Sequence, residues 1–174
     1  MFWNNRLTRK TDTPEIDLPF RMRRLRKSAA MRELVRETDI SPRHLVLPVF
    51  VREGLQDAEE IDSMPGVFRH PEENLGDVVK NAWAAGIRAV ILFGIPTEKD
   101  EEGSDTWAED GLMARCVRVA KKVVPEMTVI TDNCFCAYTT HGHCGVMVGD
   151  HVDNDLTLQN LQKQVVIAAE AGAD

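Results

Sequence analysis

From residue 45 onward the chain alternates short apolar runs with stretches of helical period. Leu45 to Val51 is apolar and β-branched and is closed by Gly54, which reads as a buried strand; Pro48 fits a strand less well, because it offers no N–H to a ladder. A polar connection with the turn signal Met64-Pro65-Gly66 follows. The stretch ENLGDVVKNAWAAG then sets Leu75, Val78, Val79, Ala82 and Trp83 on one face and stops at Gly86, predicting an amphipathic helix. The next run, IRAVILFGIP, is apolar almost throughout, the pattern of a parallel strand covered on both faces. An acidic loop, TEKDEEGSDTWAEDG, leads to a second helix over LMARCVRVAKKV, ended by Pro125, and to a third strand, MTVITD. A third helix is predicted over VDNDLTLQNLQKQVVIAAEAG, capped by Asp153 or Asn154.

This alternation with short connections predicts an α/β fold around a parallel sheet, either a (β/α) barrel or an open doubly wound sheet. In both architectures binding groups collect beyond the carboxyl ends of the strands. The loop after the third strand therefore belongs on that face, with the acidic loop after the second strand opposite it. The helix ending Ala84-Ala85-Gly86 runs straight into a strand, whereas the similar ending AAEAG is followed only by Ala173 and Asp174. The sequence is accordingly expected to be the front part of a longer protein.

Composition is globular, at 43% hydrophobic and 28% charged over 174 residues. No apolar run approaches the ~20 residues of a membrane span, and the N-terminus lacks the apolar core of a secretory signal. Asp12, Glu15 and Asp17 interrupt its basic residues, unlike a transit peptide. A cytoplasmic protein with no membrane partner is expected. Charge divides the chain more sharply. Residues 1–36 carry ten Lys and Arg against four acids, and residues 37–174 carry 11 against 24. Two parts are expected, a basic N-terminal arm over 1–36 and the front of the α/β domain over 37–174. The segment RMRRLRKSAAMRELVR has only Phe20 as an aromatic neighbour, and the acidic remainder would repel a polyanion, so no nucleic-acid partner is expected. Docking on an acidic surface of the same protein or of a neighbouring subunit accounts for the asymmetry, as does a solvated charged face.

The stretch TDNCFCAYTTHGHCGV, residues 131–146, holds three of the four cysteines and two of the five histidines. In a reducing compartment such cysteines are metal-binding, catalytic or buried more often than disulfide-bonded. The chain has no C-x2-C, which sets aside a thioredoxin-like redox pair and a zinc knuckle. Cys134, Cys136 and Cys144 form C-x-C-x7-C, three thiolates that suit a zinc ion with its fourth position open to water or substrate. His141 or His143 in that position would instead close a structural site. Asp132, at the end of the third strand, has the chemistry to orient a ligand or handle a proton, or simply to cap the loop. Gly142 and Gly145 would let the loop fold tightly. Cys116 shares a helix side with Met113, Ala120 and Val123 and reads as core packing.

From about Arg21 to the last residue the motifs RMRRLRKS, LVLPVFVREG, MPGVFRH, AVILFGIP, GSDTWAEDG, TDNCFCAYTTHGHCGV, VDNDLTLQNL and AAEAGAD stand in an order that resembles the porphobilinogen synthase (5-aminolevulinate dehydratase) family. The resemblance implies a (β/α)8 TIM barrel, of which about the first three βα units are present, and an N-terminal arm that embraces a neighbour in a homo-octamer. It implies an asymmetric condensation of two 5-aminolevulinate molecules to porphobilinogen, with loss of two waters, in haem and tetrapyrrole biosynthesis. Zinc-dependent members hold Zn2+ on three cysteines that match Cys134, Cys136 and Cys144, where other members carry aspartate or alanine. The metal acts there as a Lewis acid on the second substrate molecule, with Asp132 matching an aspartate beside it. A second, regulatory Mg2+ has no assignable residues here. The two Schiff-base lysines of the family lie later in the barrel. Lys10, Lys27, Lys80, Lys99, Lys121, Lys122 and Lys163 fall instead in the arm, on helices or in a loop. The chain alone is therefore expected to be inactive, and its alternative role is that of a non-catalytic zinc-binding module.

Overall fold

The computed structural model describes residues 23–174, so much of the predicted basic arm, residues 1–22, lies outside the described residues. The chain divides into two units, Met1–Asp39 and Ile40–Asp174. In the first, a 3-10 turn at Arg24–Arg26 precedes helix α1 (Ala29–Leu34). Ser28 caps this helix by accepting the Met31 N–H at 3.1 Å.

The second unit is a mixed α/β structure on a mostly parallel sheet. Its elements are β1 (Val46–Arg52), β2 (Glu59–Glu60), β3 (Phe68–His70), α2 (Leu75–Ala84), β4 (Ala89–Ile95), α3 (Leu112–Val123), β5 (Thr128–Thr131), β6 (Met147–Val148), β7 (His151–Val152) and α4 (Asn154–Ala171). The order across the sheet is β2-β3-β1-β4-β5, parallel except for β2 on the edge. Residues β1, β4 and β5 are the three predicted strands. Pro48 is accommodated because β3 pairs only with Phe50 and Val51, leaving that side of β1 without a ladder at residue 48.

Two hairpins escape the hydrophobic pattern. The polar connection before α2 contains β2 and β3, held by the pairs Glu59 with Arg69 and Glu60 with Phe68. The segment before α4 contains β6 and β7, so Val152 belongs to a strand and the third helix begins at Asn154. Asp153 is its cap, accepting the Leu156 N–H at 2.9 Å. Along β4, expected to be covered on both faces, burial within this chain alternates. Val90, Leu92 and Gly94 are buried with Val49, Val51 and Val129. These pack with Leu75, Val79 and Ala82 of α2 and Leu112, Met113, Cys116, Val117 and Ala120 of α3. The other face carries Phe50 stacked on Phe93 at 5.0 Å, together with Ile91, Val46 and Ile130, all half-buried or exposed. A run apolar on both faces thus has helices on one of them. Burying each large aliphatic side chain on the helix side stabilises the unit by about 1.5–3 kcal/mol.

Candidate metal centre

The parallel strands deliver their carboxyl ends to one edge of the second unit. Asp132 lies immediately past β5, its N–H donating to the Leu92 carbonyl at 3.2 Å. Burial pushes its carboxyl above the ordinary aspartate value, favouring the protonated form relative to a solvated carboxyl. The chain then turns through Phe135, whose carbonyl accepts the N–H groups of Tyr138 and Thr139 at 2.9 and 3.0 Å. Phe135 and Tyr138 are buried, which anchors the turn, while Cys134 is half-buried and Cys136 and Cys144 are exposed.

The Sγ of Cys134 lies 3.2 Å from that of Cys136 and 3.0 Å from that of Cys144. The three are free thiols and form the one group of metal-donor side chains, among the described residues, whose ligand atoms converge within 4.8 Å. Burial works against ionising Cys134. The Cys136 backbone N–H and the thiols of Cys144 and Cys136 outweigh it and lower this pKa. Cys136 is pushed up to about 12, chiefly because its thiol is the donor to Cys134, and Cys144 is raised for the same reason. Of the three, Cys134 is thus the thiol whose ionisation its neighbours favour. Cys116 is buried in the core, apart from this group, and burial raises its thiol to about 12, which suits packing and not reactivity.

The histidines do not join the cluster. The His141 Nδ1 accepts the His143 N–H at 3.1 Å, which places the ring proton on Nε2, and Nε2 donates to the Glu101 carbonyl at 3.0 Å. The His143 ring stacks on that of His141, with centroids 5.5 Å apart. Both ring nitrogens of His141 are thereby engaged, and the sulfurs converge without a fourth protein ligand among the described residues. Gly142 and Gly145 have φ of 74° and 155°. A Cβ on Gly145 would overlap Thr157 and Val152, so glycine is needed for Cys144 to pass this close to the start of α4.

A second set of polar groups was not legible in the sequence. Arg115 of α3 grips Glu72 through Nε and Nη2 at 2.9 and 3.0 Å and reaches Glu53, just past β1, at 2.8 Å. Glu53 also accepts the Thr97 N–H at 2.9 Å. These partners lie 43 to 62 residues apart in sequence, beyond any local pattern. Glu53 shares a cleft of about 670 Å³ with Thr97, Lys99, Asp100, Asp105 and Tyr138. The Thr97 N–H first, and then Arg115, hold the Glu53 carboxyl below its ordinary value of 4.5, against the effect of burial. A lowered folded pKa means that Glu53 stabilises the fold above its unfolded pKa and that this contribution disappears as the pH falls through the folded one. The urea midpoint of the chain is therefore expected to drop on acidification below about pH 4.5 by more than that of Glu53→Gln. Parallel midpoints for the two proteins across that range would contradict this.

Comparison with known proteins puts the geometry in context. Residues 19–174 match the family model described as delta-aminolevulinic acid dehydratase. The delta-aminolevulinic acid dehydratase of Escherichia coli K12 is 54% identical over 158 residues, covering 91% of this chain and 49% of that protein. The enzyme of the same name from Ruminiclostridium josui is 43% identical over 154 residues, covering 88% and 75%. A crystal structure of delta-aminolevulinic acid dehydratase (porphobilinogen synthase) from Toxoplasma gondii, in complex with the reaction product porphobilinogen, superposes with a TM-score of 0.85 at 34% identity. It covers 91% of this chain and 46% of its own. The chain thus spans about half the length of the Escherichia coli and Toxoplasma gondii relatives.

Proposed function

This chain belongs to the delta-aminolevulinic acid dehydratase family, and from that premise we propose that it is the metal-holding front part of a zinc-dependent porphobilinogen synthase. The observation that carries the proposal is the convergence of the Cys134, Cys136 and Cys144 sulfurs at the carboxyl edge of a parallel sheet, two residues beyond Asp132. The sheet is then the first part of a (β/α)8 barrel, in which β5 is followed by further strands. The complete protein would condense two 5-aminolevulinate molecules into porphobilinogen, as a homo-octamer in which the basic arm holds a neighbouring subunit.

The donor set fits Zn2+ rather than a hard cation, since thiolates are soft ligands and three of them leave one coordination position for a substrate oxygen. When bound there, zinc supplies Lewis acidity to a carbonyl oxygen of the second substrate molecule. This chain's residues do the remaining work in its half of the site. Cys134, Cys136 and Cys144 fix the metal, and the Phe135 turn holds the first two sulfurs in place. Asp132, with its raised pKa, is suited to carry a proton at its carboxyl oxygen beside the metal.

The lysines support a catalytic dependence on sequence outside this chain. Lys80 pairs with Asp77, Lys121 with Asp174 and the Met127 carbonyl, and Lys163 with Asn160. Lys27, Lys99 and Lys122 are exposed, and no described lysine is buried or lies in a strand. None has the desolvated setting that makes a lysine nucleophilic near neutral pH. This favours, as a second reading, a zinc-holding module that does not turn over substrate by itself.

Both are tested by one pair of assays. The chain alone is expected to form no porphobilinogen from 5-aminolevulinate. A chimaera in which residues 21–174 replace the matching segment of the Escherichia coli relative is expected to form it, in a zinc-dependent manner. Turnover by the chain alone would overturn the first expectation. A folded chimaera without activity would overturn the proposed synthase function and leave the module.

A further inference from the structure

We infer that Asp100, in the loop after β4, is a positioning residue for the metal centre, folding its own loop into a staple that holds Cys144 against Cys134 and Cys136. The inference rests on the proposed metal reading, and its basis is the loop's contacts. The C-x-C half of the ligand set needs little help, because the Phe135 turn fixes it locally. Cys144 is different, since seven residues separate it from Cys136 and its position depends on what holds them.

The structure shows what does. Asp100 pairs with Thr139 as an isolated parallel bridge, its N–H donating to the Tyr138 carbonyl at 3.3 Å and its carbonyl accepting the Thr140 N–H at 2.9 Å. The adjacent Glu101 carbonyl receives His141 Nε2 at 3.0 Å. Three residues of the seven-residue segment, Tyr138, Thr140 and His141, are thus tied to two consecutive residues of the acidic loop. Thr139 Oγ1 closes the far end by donating to the His143 carbonyl at 3.0 Å, next to Cys144.

The staple has its own internal brace. One Asp100 carboxylate oxygen accepts the N–H groups of Glu102, Gly103 and Ser104, and the other accepts the Ser104 hydroxyl. This turn brings Gly103, with φ of 70°, against the cysteine loop so closely that a Cβ there would lie 3.2 Å from Tyr138 Cβ and 3.4 Å from Phe135 and Thr139. The carboxylate therefore shapes the surface that the metal loop packs on, while its own backbone supplies the bridge. Asp100 touches no sulfur and acts only through this scaffold.

The test titrates the chain with Co2+, following the thiolate charge-transfer absorption, and measures Zn2+ affinity by competition with a chelator. Asp100→Ala is expected to weaken binding 10- to 100-fold, the usual effect of losing a group that orients metal ligands, and to reduce the absorption per bound cobalt as Cys144 leaves the ligand set. Asp100→Asn retains an acceptor for the three N–H groups and is expected to fall between Asp100→Ala and the unaltered chain; it decides the matter if Asp100→Ala fails to fold. Val79→Ala, a core variant of α2, is expected to lower the melting temperature without changing the cobalt spectrum. Unchanged affinity and spectrum in a folded Asp100 variant would overturn the inference while leaving the metal reading intact. If the unaltered chain binds neither ion, both fall.

Discussion

Replacing Cys134, Cys136 and Cys144 together by alanine is expected to remove stoichiometric zinc from the chain altogether. A single replacement, Cys144→Ala, is expected to weaken zinc binding by orders of magnitude. The expectation follows from the donor count. Three sulfurs converge without a fourth protein ligand among the described residues, and His141 is held away by the Glu101 carbonyl and the His143 N–H. Each thiolate is therefore a third of the protein's hold on the ion, in a setting where metal binding and loop order are coupled. Metal analysis of the purified variants after gel filtration checks this directly. Retention of one zinc per chain in the triple variant would show that the ion sits elsewhere.

The second large effect is expected at Gly94. This residue is buried in β4, and an added Cβ would overlap the Tyr138 hydroxyl while also meeting Leu112 and Met113 at 3.4 Å. Tyr138 has little freedom to yield, because it is 3% exposed and belongs to the turn that carries the cysteines. Gly94→Ala is expected to cost about 1–3 kcal/mol of stability, the range for overpacking a filled core, and to lower metal affinity by displacing the turn. Its hydroxyl has no hydrogen-bond partner among the described residues. Tyr138→Phe, which removes that oxygen, is expected to be neutral or slightly stabilising. It should also recover most of the Gly94→Ala loss, giving a double variant far from additive. Urea unfolding of the four proteins measures this, and simple additivity would contradict it.

How much of this was legible in the sequence follows from the range of each interaction. Strands β1, β4 and β5 and helices α2 and α3 announce themselves, because their apolar residues recur with the period of the element and their ends carry Gly54, Gly86 or Pro125. The hairpin of β2 and β3 does not. Its ladder is two residue pairs built on Glu59, Glu60, Phe68 and Arg69, too short and too charged to show a period. What lies over each face of β4 is not legible, because an apolar run gives the character of both faces without saying what covers either. The three cysteines were legible from spacing and chemistry, whereas the exclusion of His141 depends on a carbonyl 40 residues away. Asp100 was invisible for a similar reason. In the sequence it is one acid in an acidic loop, and only the fold reveals that its carboxylate turns inward on its own backbone and its peptide bridges to Thr139.

The central claim is a zinc ion held by three sulfurs with one position open. X-ray absorption at the zinc edge of the metal-loaded chain tests it most directly. The account predicts three sulfur neighbours at about 2.3 Å and a single oxygen or nitrogen neighbour, with the sulfur shell lost in the triple cysteine variant. A shell of imidazole and carboxylate ligands without sulfur, or a closed shell in which a histidine completes the set in the unaltered chain, would contradict it.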